Sequence, residues 1–142
     1  MHVSQVMSKE VVTADPEASV VEVARLMREH EVGSVVVEMD TPVGIITQSD
    51  VVGVVAEGLD ASSLTAADVM SQDLVTVDGF EDVEVAVERM REENVDKLPV
   101  IYGGALVGII STNDVTHQFS RIVEGEPVSE DELVEELNDL VG

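Results

Sequence analysis

Cysteine and tryptophan are absent from the 142-residue chain, and aromatic residues make up only 2% of it. Without cysteine, the chain cannot form a disulfide framework, a thiolate nucleophile or a cysteine-ligated zinc site. No stretch approaches the roughly 20 apolar residues that a membrane-spanning helix needs. The first residues, Met1-His2-Val3-Ser4, lack the basic and apolar regions of a signal peptide. We therefore expect a cytoplasmic protein that has no membrane partner.

Basic residues are scarce, since seven lysines and arginines stand against 30 aspartates and glutamates and the formal net charge is −23. Such a surface would repel a polyanion, so no nucleic-acid partner is expected. Two explanations of the charge stay open. The acids are spread over the whole chain, which favours adaptation to multimolar salt, where the Debye length falls to ~3 Å or less. The alternative is a surface that binds cations or a basic partner.

Hydrophobic residues nevertheless make up 44% of the chain, and its mean hydropathy is +0.18. That is enough apolar surface for a folded core, which valine, leucine, isoleucine, methionine and alanine would build. The length suits one compact domain or two small repeats.

The sequence repeats itself at an offset of 63 or 64 residues. Val6-Met7-Ser8 returns as Val69-Met70-Ser71, and the segment Gly44–Val51 returns as Gly108–Val115. The second pair is one residue further apart because one residue is added in a turn, where insertions cost least. The chain is therefore a duplication of one small unit.

Each repeat is predicted to contain a strand, a helix, two paired strands and a final helix. The first helices should begin at Ser19, which forms a capping box with Glu22, and at Asp82. Their apolar stripes have helical spacing and comprise Val20, Val23, Ala24 and Met27 in one repeat and Val83, Ala86, Val87 and Met90 in the other. The strands are predicted over Val11–Thr13, Ser34–Glu38, Val43–Thr47, Leu98–Ile101 and Leu106–Ser111.

The final helix of each repeat is predicted to begin at a polar cap, which is Ser49 or Asp50 in the first copy and Asn113 or Asp114 in the second. The first of these helices should end near Glu57, because glycine favours the position just past a helix end. One side of this helix carries Val51, Val52 and Val55, and the other final helix carries Val115, Phe119, Ile122 and Val123. Short lead-in helices are expected at Val3–Met7 and Thr65–Met70.

The chain divides accordingly into repeat 1 (residues 1–60), repeat 2 (61–123) and an acidic helical tail (124–142). In the tail, Ser129 and Glu132 form a further capping box, and a narrow apolar stripe follows. Two interpretations of the tail stay open: it packs on its own domain, or it is exchanged with a second subunit or another partner.

Each repeat has a hydroxyl residue at the end of its last strand and an aspartate three positions later. Thr47 and Asp50 follow a buried strand at the start of a helix, and Ser111 and Asp114 repeat this arrangement. Free N–H groups at a helix start can receive an anion. A carboxylate can accept two hydrogen bonds from a vicinal diol such as ribose. Helix capping is the plainer interpretation, but two copies with one spacing favour ligand binding.

These features together resemble a tandem pair of cystathionine β-synthase (CBS) domains, a Bateman module. The resemblance runs from Val3 to about Val123 and rests on the Val-Met-Ser lead-in, the Val-Thr-x-Asp strand ending, the Gly-Ile-Ile-Thr/Ser-x-x-Asp segment and the strand Leu98-Pro99-Val100. It implies an α/β (α+β) fold of two β-α-β-β-α repeats, packed through their sheets with pseudo-twofold symmetry. The C-terminal helix predicted for the tail is added to this fold. It also implies association of two modules, so a homodimer is expected.

The resemblance further implies that the two clefts between the repeats bind an adenosine-type small molecule: AMP, ADP, ATP or S-adenosylmethionine. Asp50 and Asp114 match the ribose-binding aspartate, and Thr47 and Ser111 match the hydroxyl residue near the phosphate. The remaining ligand-binding residues that it implies are Ile45 and Ile109 near the base, Met7 and Lys9 of the lead-in with Val32 and Gly33 in the Asp114 site, and Met70 with Val95 and Asp96 in the Asp50 site.

The chain departs from the family pattern where phosphate is bound. Family members often supply Arg, Lys or His there, whereas this chain has Gly33 and Asp96, and Lys9 and His117 are the nearest basic candidates. A polyphosphate would therefore need Mg²⁺, potassium or a partner subunit. AMP and S-adenosylmethionine carry less negative charge, so they need fewer positive groups in the site. No cofactor is required.

Two functions follow from these features. The leading one is a stand-alone regulatory module that signals ligand occupancy to an unidentified regulated protein. The alternative is a structural or protein-interaction module with vestigial ligand clefts. No enzyme is expected, because none of the common catalytic motifs occurs and the histidines lack metal-ligand spacing.

Overall fold

The computed structural model describes residues 1–123, and it describes side chains as far as residue 118. The predicted tail helix of residues 124–142 lies outside the described residues, as do the side chains of the stripe positions Phe119, Ile122 and Val123.

Within residues 1–123, each repeat contributes the elements that the sequence predicts. The strands are β1 (Thr13–Ala14), β2 (Ser34–Glu38), β3 (Pro42–Thr47), β4 (Val77–Asp78), β5 (Lys97–Tyr102) and β6 (Ala105–Ser111). The helices are α1 (Val3–Val6), α2 (Val20–His30), α3 (Gln48–Ala56), α4 (Ala66–Val69), α5 (Val83–Glu93) and α6 (Thr112–Val123). The fold is mixed α+β, as predicted.

The described chain divides into two compact units. The first-repeat unit is Val11–Leu74, and the second-repeat unit joins Met1–Glu10 to the described part of the chain from Val75 onward. Each unit therefore holds one lead-in helix, but not the one that precedes its repeat in the sequence. The helix α1 packs in the second-repeat unit, and α4 packs in the first-repeat unit.

Each unit contains a three-stranded sheet with one topology. The first strand pairs parallel to the second, and the second pairs antiparallel to the third. The register shifts at matching places, after Val37 and after Val100. The β5–β6 turn uses Gly103 and Gly104 at φ 58° and 80°, a region that glycine occupies without steric cost. The predicted hairpins are confirmed to within one residue at each end.

The first strand is shorter than predicted. Only Thr13 and Ala14 pair in register with β2, rather than Val11–Thr13. The chain leaves the sheet directly afterwards, because the amide of Ala18 donates to the carbonyl of Asp15 at 3.0 Å and closes a turn.

Each unit has its own hydrophobic core, and the predicted helix stripes face it. In the first-repeat unit, Val23 and Met27 of α2 pack with Val35, Val37 and Ile46 of the sheet. The second-repeat core is equivalent and comprises Val3, Val77, Ala86, Met90, Leu98, Val100 and Ile110.

Both predicted caps of the first helices are confirmed. The Ser19 hydroxyl accepts a bond from the amide of Glu22 at 3.1 Å, and Asp82 accepts one from the amide of Glu84 at 3.2 Å. The α3 stripe is only partly as predicted. Val54 is buried and Val51 packs against the core, whereas Val52 and Val55 are 64% and 71% exposed.

The segment before α4 is held by two carboxylates. Asp60 accepts bonds from the hydroxyls of Ser62 and Ser63 and from the amide of Ser62, which lower its pKa. Bonding from Thr65, first from its amide at 2.9 Å, lowers the pKa of Asp68. Because both pKa values are lowered, these bonds stabilise the fold above the ordinary aspartate pKa and are lost as the pH falls through the folded-state pKa.

Candidate functional site

The first candidate corner is the junction of β3 and α3. The backbone amide of Thr47 donates to Oδ2 of Asp50 at 2.8 Å, and the Thr47 hydroxyl donates to the same oxygen at 3.1 Å. Both residues are half-buried. Thr47 is the N-cap residue, so the predicted cap at Ser49 or Asp50 is wrong. The Thr-x-x-Asp spacing is itself a capping-box pattern, which starts the helix earlier.

The second candidate corner, the junction of β6 and α6, has the same amide-to-carboxylate bond but uses its hydroxyl as an acceptor. The amide of Ser111 donates to Oδ2 of Asp114 at 2.9 Å, and the amide of Asp114 donates to Oγ of Ser111 at 3.1 Å. Because α6 begins at Thr112, the predicted cap at Asn113 or Asp114 is wrong for the same reason. Ser111 is buried and Asp114 is half-buried.

A lead-in segment crosses the strand next to each corner. The amide of Ser71 donates to the carbonyl of Ile45 at 3.1 Å. Ser8 and Ile109 exchange two backbone bonds, of 2.8 and 3.0 Å. The structure thus brings Met70 to the strand that leads to Asp50, and Met7 to the strand that leads to Asp114.

Glycine makes these crossings possible. A Cβ on Gly44 would meet Met70 and lie 2.9 Å from the carbonyl oxygen of Ser71. A Cβ on Gly108 would meet Met7 and lie 2.8 Å from the carbonyl oxygen of Ser8. The glycine of the repeated motif therefore allows the close backbone approach that holds the lead-in in place.

At each corner, the first amide of the helix is bonded to the residue that precedes the hairpin of the same repeat. The sequence analysis does not predict this contact. The amide of Gln48 donates to the carbonyl of Gly33 at 3.1 Å, and the amide of Thr112 donates to the carbonyl of Asp96 at 3.0 Å. No sequence pattern marks these backbone bonds. The assignment of Val32, Gly33, Val95 and Asp96 to the corner of the opposite repeat stays a prediction.

The corner carboxylates retain the capacity to bind a ligand. The bonds to Asp50 and Asp114 described above end on Oδ2, and an ionised carboxylate has about four lone-pair sites. Capping orients the side chain and leaves acceptor positions for a diol. Capping and ligand binding are therefore compatible in these residues.

The surroundings of Asp50 are acidic. A cavity of about 310 Å³ on this side of α3 is lined by the carboxylates of Asp50, Glu57 and Asp68 among apolar groups such as Val54 and Leu64. These carboxylates would repel a polyphosphate. In the second-repeat unit, the basic candidates Lys9 and His117 are both exposed.

Within residues 1–123, no cluster of three or more His, Cys, Asp or Glu side chains is placed to hold a metal ion. Over the same residues, no helix has the length and apolar character required to cross a membrane.

The repeat boundaries and both corners coincide with a known family pattern. The model of the CBS domain matches residues 3–57 and 66–121. The chain belongs to the CBS-domain family. Each matched segment of this CBS pair ends just after a corner, so the Thr47–Asp50 and Ser111–Asp114 boxes stand at equivalent places in the two domains.

Two relatives show how far the similarity extends. The uncharacterized protein MK0525 of Methanopyrus kandleri is 39% identical over 117 residues, which are 80% of this chain and 60% of that protein. The CBS domain-containing protein YhcV of Bacillus subtilis is 31% identical over 115 residues, 80% of this chain and 81% of that protein. The CBS pair thus spans less than two thirds of the first relative and most of the second.

A solved structure has the same fold. The CBS domain protein PAE2072 from Pyrobaculum aerophilum, complexed with AMP, superposes with a TM-score of 0.78 at 26% sequence identity. The match covers 87% of this chain and 97% of that one.

Proposed function

We propose that this CBS pair is a cytoplasmic regulatory module without catalysis of its own, which binds an adenosine-containing ligand at its two corners. The observation that carries the proposal is the same amide-to-carboxylate bond beside a hydroxyl residue in both units, at equivalent places in the two CBS domains. The AMP complex of the Pyrobaculum protein supports this class of ligand.

The geometry suggests a role for each group. The ribose diol would donate to Asp50 or Asp114, and the phosphate would lie at the positive N-terminal end of α3 or α6. Ile45 with Met70, and Ile109 with Met7, would supply apolar contacts to the base. Because acids surround Asp50, we expect AMP and S-adenosylmethionine to bind more tightly than ATP, and ATP to gain from added Mg²⁺.

Regulation would follow from differential affinity. A ligand shifts the module between two arrangements only as far as it binds one arrangement better than the other. We propose that a separate protein reads this shift. Such a CBS pair would act as a sensor.

The ribose assignment predicts a large loss of AMP affinity in the double variant Asp50→Ala, Asp114→Ala. Removing a charged acceptor of a hydrogen bond costs about 1.5–3 kcal/mol, so affinity should fall about tenfold to hundredfold at each corner. Isothermal titration of AMP, ATP and S-adenosylmethionine, in dilute and in concentrated KCl, measures this.

Asp82→Ala is the matched control, because Asp82 also accepts an amide bond at a helix start but lies at neither corner. It should bind AMP like the wild type. Unchanged AMP affinity in the double variant would refute the ribose assignment. Absence of saturable binding by the wild type would favour the vestigial interaction module instead.

We also propose that two copies associate through α3, where Val52 and Val55 lie one turn apart and are 64% and 71% exposed. Lysine at both positions should convert a dimer to a monomer in sedimentation experiments, since burying two charges at an apolar contact is costly. Met39→Lys, at an equally exposed residue after β2, should leave the dimer intact. A wild-type monomer, or a dimer unaffected by the α3 variant, contradicts this proposal.

A further inference from the structure

An aromatic pair lies beside a cavity at the far end of the second-repeat sheet. The rings of Phe80 and Tyr102 meet edge to face, with centroids 4.9 Å apart at 77°. Both side chains remain about half exposed, at 56% and 51%. The adjoining cavity has a volume of about 370 Å³, and Met7, Lys9, Gly79 and Val107 also line it.

Hydrogen bonds and a ring contact position the two aromatic residues beside this cavity. The amide of Phe80 donates to Oδ1 of Asp78 at 2.8 Å, which sets the turn after β4. The ring of His2 packs edge to face on Phe80, and its Nδ1 lies 2.9 Å from the Phe80 carbonyl oxygen. Tyr102 pairs with Ala105 across the Gly103–Gly104 turn. The backbone at Phe80 and Tyr102 is therefore fixed, and the Phe80 ring lies between the rings of His2 and Tyr102.

The charge of this cavity differs from that of the chain. Among the residues whose side chains the structure describes, Lys9 is the one charged residue in its lining, and no carboxylate lines it. Two other cavities in the described residues are each lined by three carboxylates, and only one of the two also has an arginine in its lining. The chain as a whole has a net charge of −23 and would repel an anion. In this cavity, an anionic ligand would instead lie next to a lysine.

The other repeat provides an internal comparison. At the offsets of the duplication, Phe80 corresponds to Glu17, Tyr102 to Met39 and Lys9 to Gln72. The fold therefore requires neither the aromatic rings nor the lysine at these places. All three aromatic residues of the chain lie in repeat 2, and Phe80 and Tyr102 belong to the compact unit that also holds Lys9.

We propose that this cavity is a second ligand site, which binds a small planar aromatic anion. The ligand ring would stack on Phe80 and Tyr102, and its negative group would pair with Lys9. The cavity shares Met7 and Lys9 with the residues assigned to the Asp114 site, but neither Ser111 nor Asp114 lines it. Val107 lies near the start of β6 and Ser111 at its end, about 14 Å apart along an extended strand.

Tyr102 reports directly on the proposal, because the chain has one tyrosine and no tryptophan. Phenylacetate should change tyrosine emission in a saturable way. Phenylacetamide lacks the charge and cyclohexylacetate lacks the aromatic ring, so each should bind at least about threefold more weakly. Lys9→Gln and Phe80→Leu should each weaken phenylacetate by a similar factor, and Phe80→Leu should leave AMP affinity unchanged.

Three results would overturn the proposal: no saturable response of Tyr102, equal affinity for the three probes, or phenylacetate affinity unchanged in both variants. Displacement of phenylacetate by AMP would also overturn it, since the cavity would then be part of the nucleotide site. Circular dichroism of the two variants establishes that they fold, and both substitutions fall on exposed side chains.

Discussion

Replacement of Gly108 by alanine is expected to lower the free energy of unfolding by about 2 kcal/mol, a typical cost of overpacking. The added methyl would meet the flexible side chain of Met7, which can move, and the carbonyl oxygen of Ser8 at 2.8 Å, which cannot move without breaking its bond to Ile109. Gly44→Ala should have a comparable effect through Ser71. Urea unfolding followed by circular dichroism measures both.

Gly53→Ala is the matched control for these variants. Gly53 lies inside α3, and nothing comes within 4 Å of an added Cβ. Alanine should therefore stabilise the chain by up to ~1 kcal/mol through helix propensity alone. If Gly108→Ala costs less than about 0.5 kcal/mol, the lead-in is not held against β6 as closely as the structure shows.

Raising KCl from 0.1 to 2 M is expected to increase the melting temperature by roughly 10 °C or more. The cause is self-repulsion among the carboxylates, which gives the chain a net charge of −23. At 2 M the Debye length falls below ~3 Å, so neighbouring acids no longer interact strongly. Scanning calorimetry at a series of salt concentrations measures the effect.

The shape of this dependence separates the two explanations of the acidic surface. Screening should act without saturation and equally for K⁺ and Na⁺. A cation-binding surface should saturate at low concentration and discriminate between ions. A variant in which exposed helix acids such as Glu29, Glu88 and Glu92 become glutamine should depend less on salt. A melting temperature independent of KCl would count against adaptation to multimolar salt.

The hairpins and first helices could be predicted because their signals are local and occur twice. The Gly103–Gly104 turn and the Ser19 and Asp82 caps each act within a few residues, and the structure has them where the sequence places them. The predicted caps of α3 (Ser49 or Asp50) and of α6 (Asn113 or Asp114) are wrong, because these polar residues lie inside the first turn of each helix. The hydroxyl residue three positions before each aspartate takes the cap position instead.

At the candidate corners, too, the local features could be predicted from the sequence and the long-range contacts could not. The spacing of Thr47 to Asp50 and of Ser111 to Asp114 is visible in the sequence, and it places both groups at a helix start. The covering of each strand by a lead-in is not visible there. It was expected only from the resemblance to CBS pairs, since Ser8 and Ile109 are far apart in the chain.

Taken alone, the amino-acid order established a duplicated β-α-β-β-α unit with a hydroxyl–carboxylate pair at each final helix, because periodicity, turns and caps are short-range properties. The tertiary structure decided which lead-in crosses which strand. Each crossing occurs at a glycine, because only a residue without a side chain leaves room for the second backbone. The tertiary structure also brought Phe80 and Tyr102 together from separate strand ends. Such pairings depend on chain segments that meet only once the sheet has formed, and no short-range pattern encodes them.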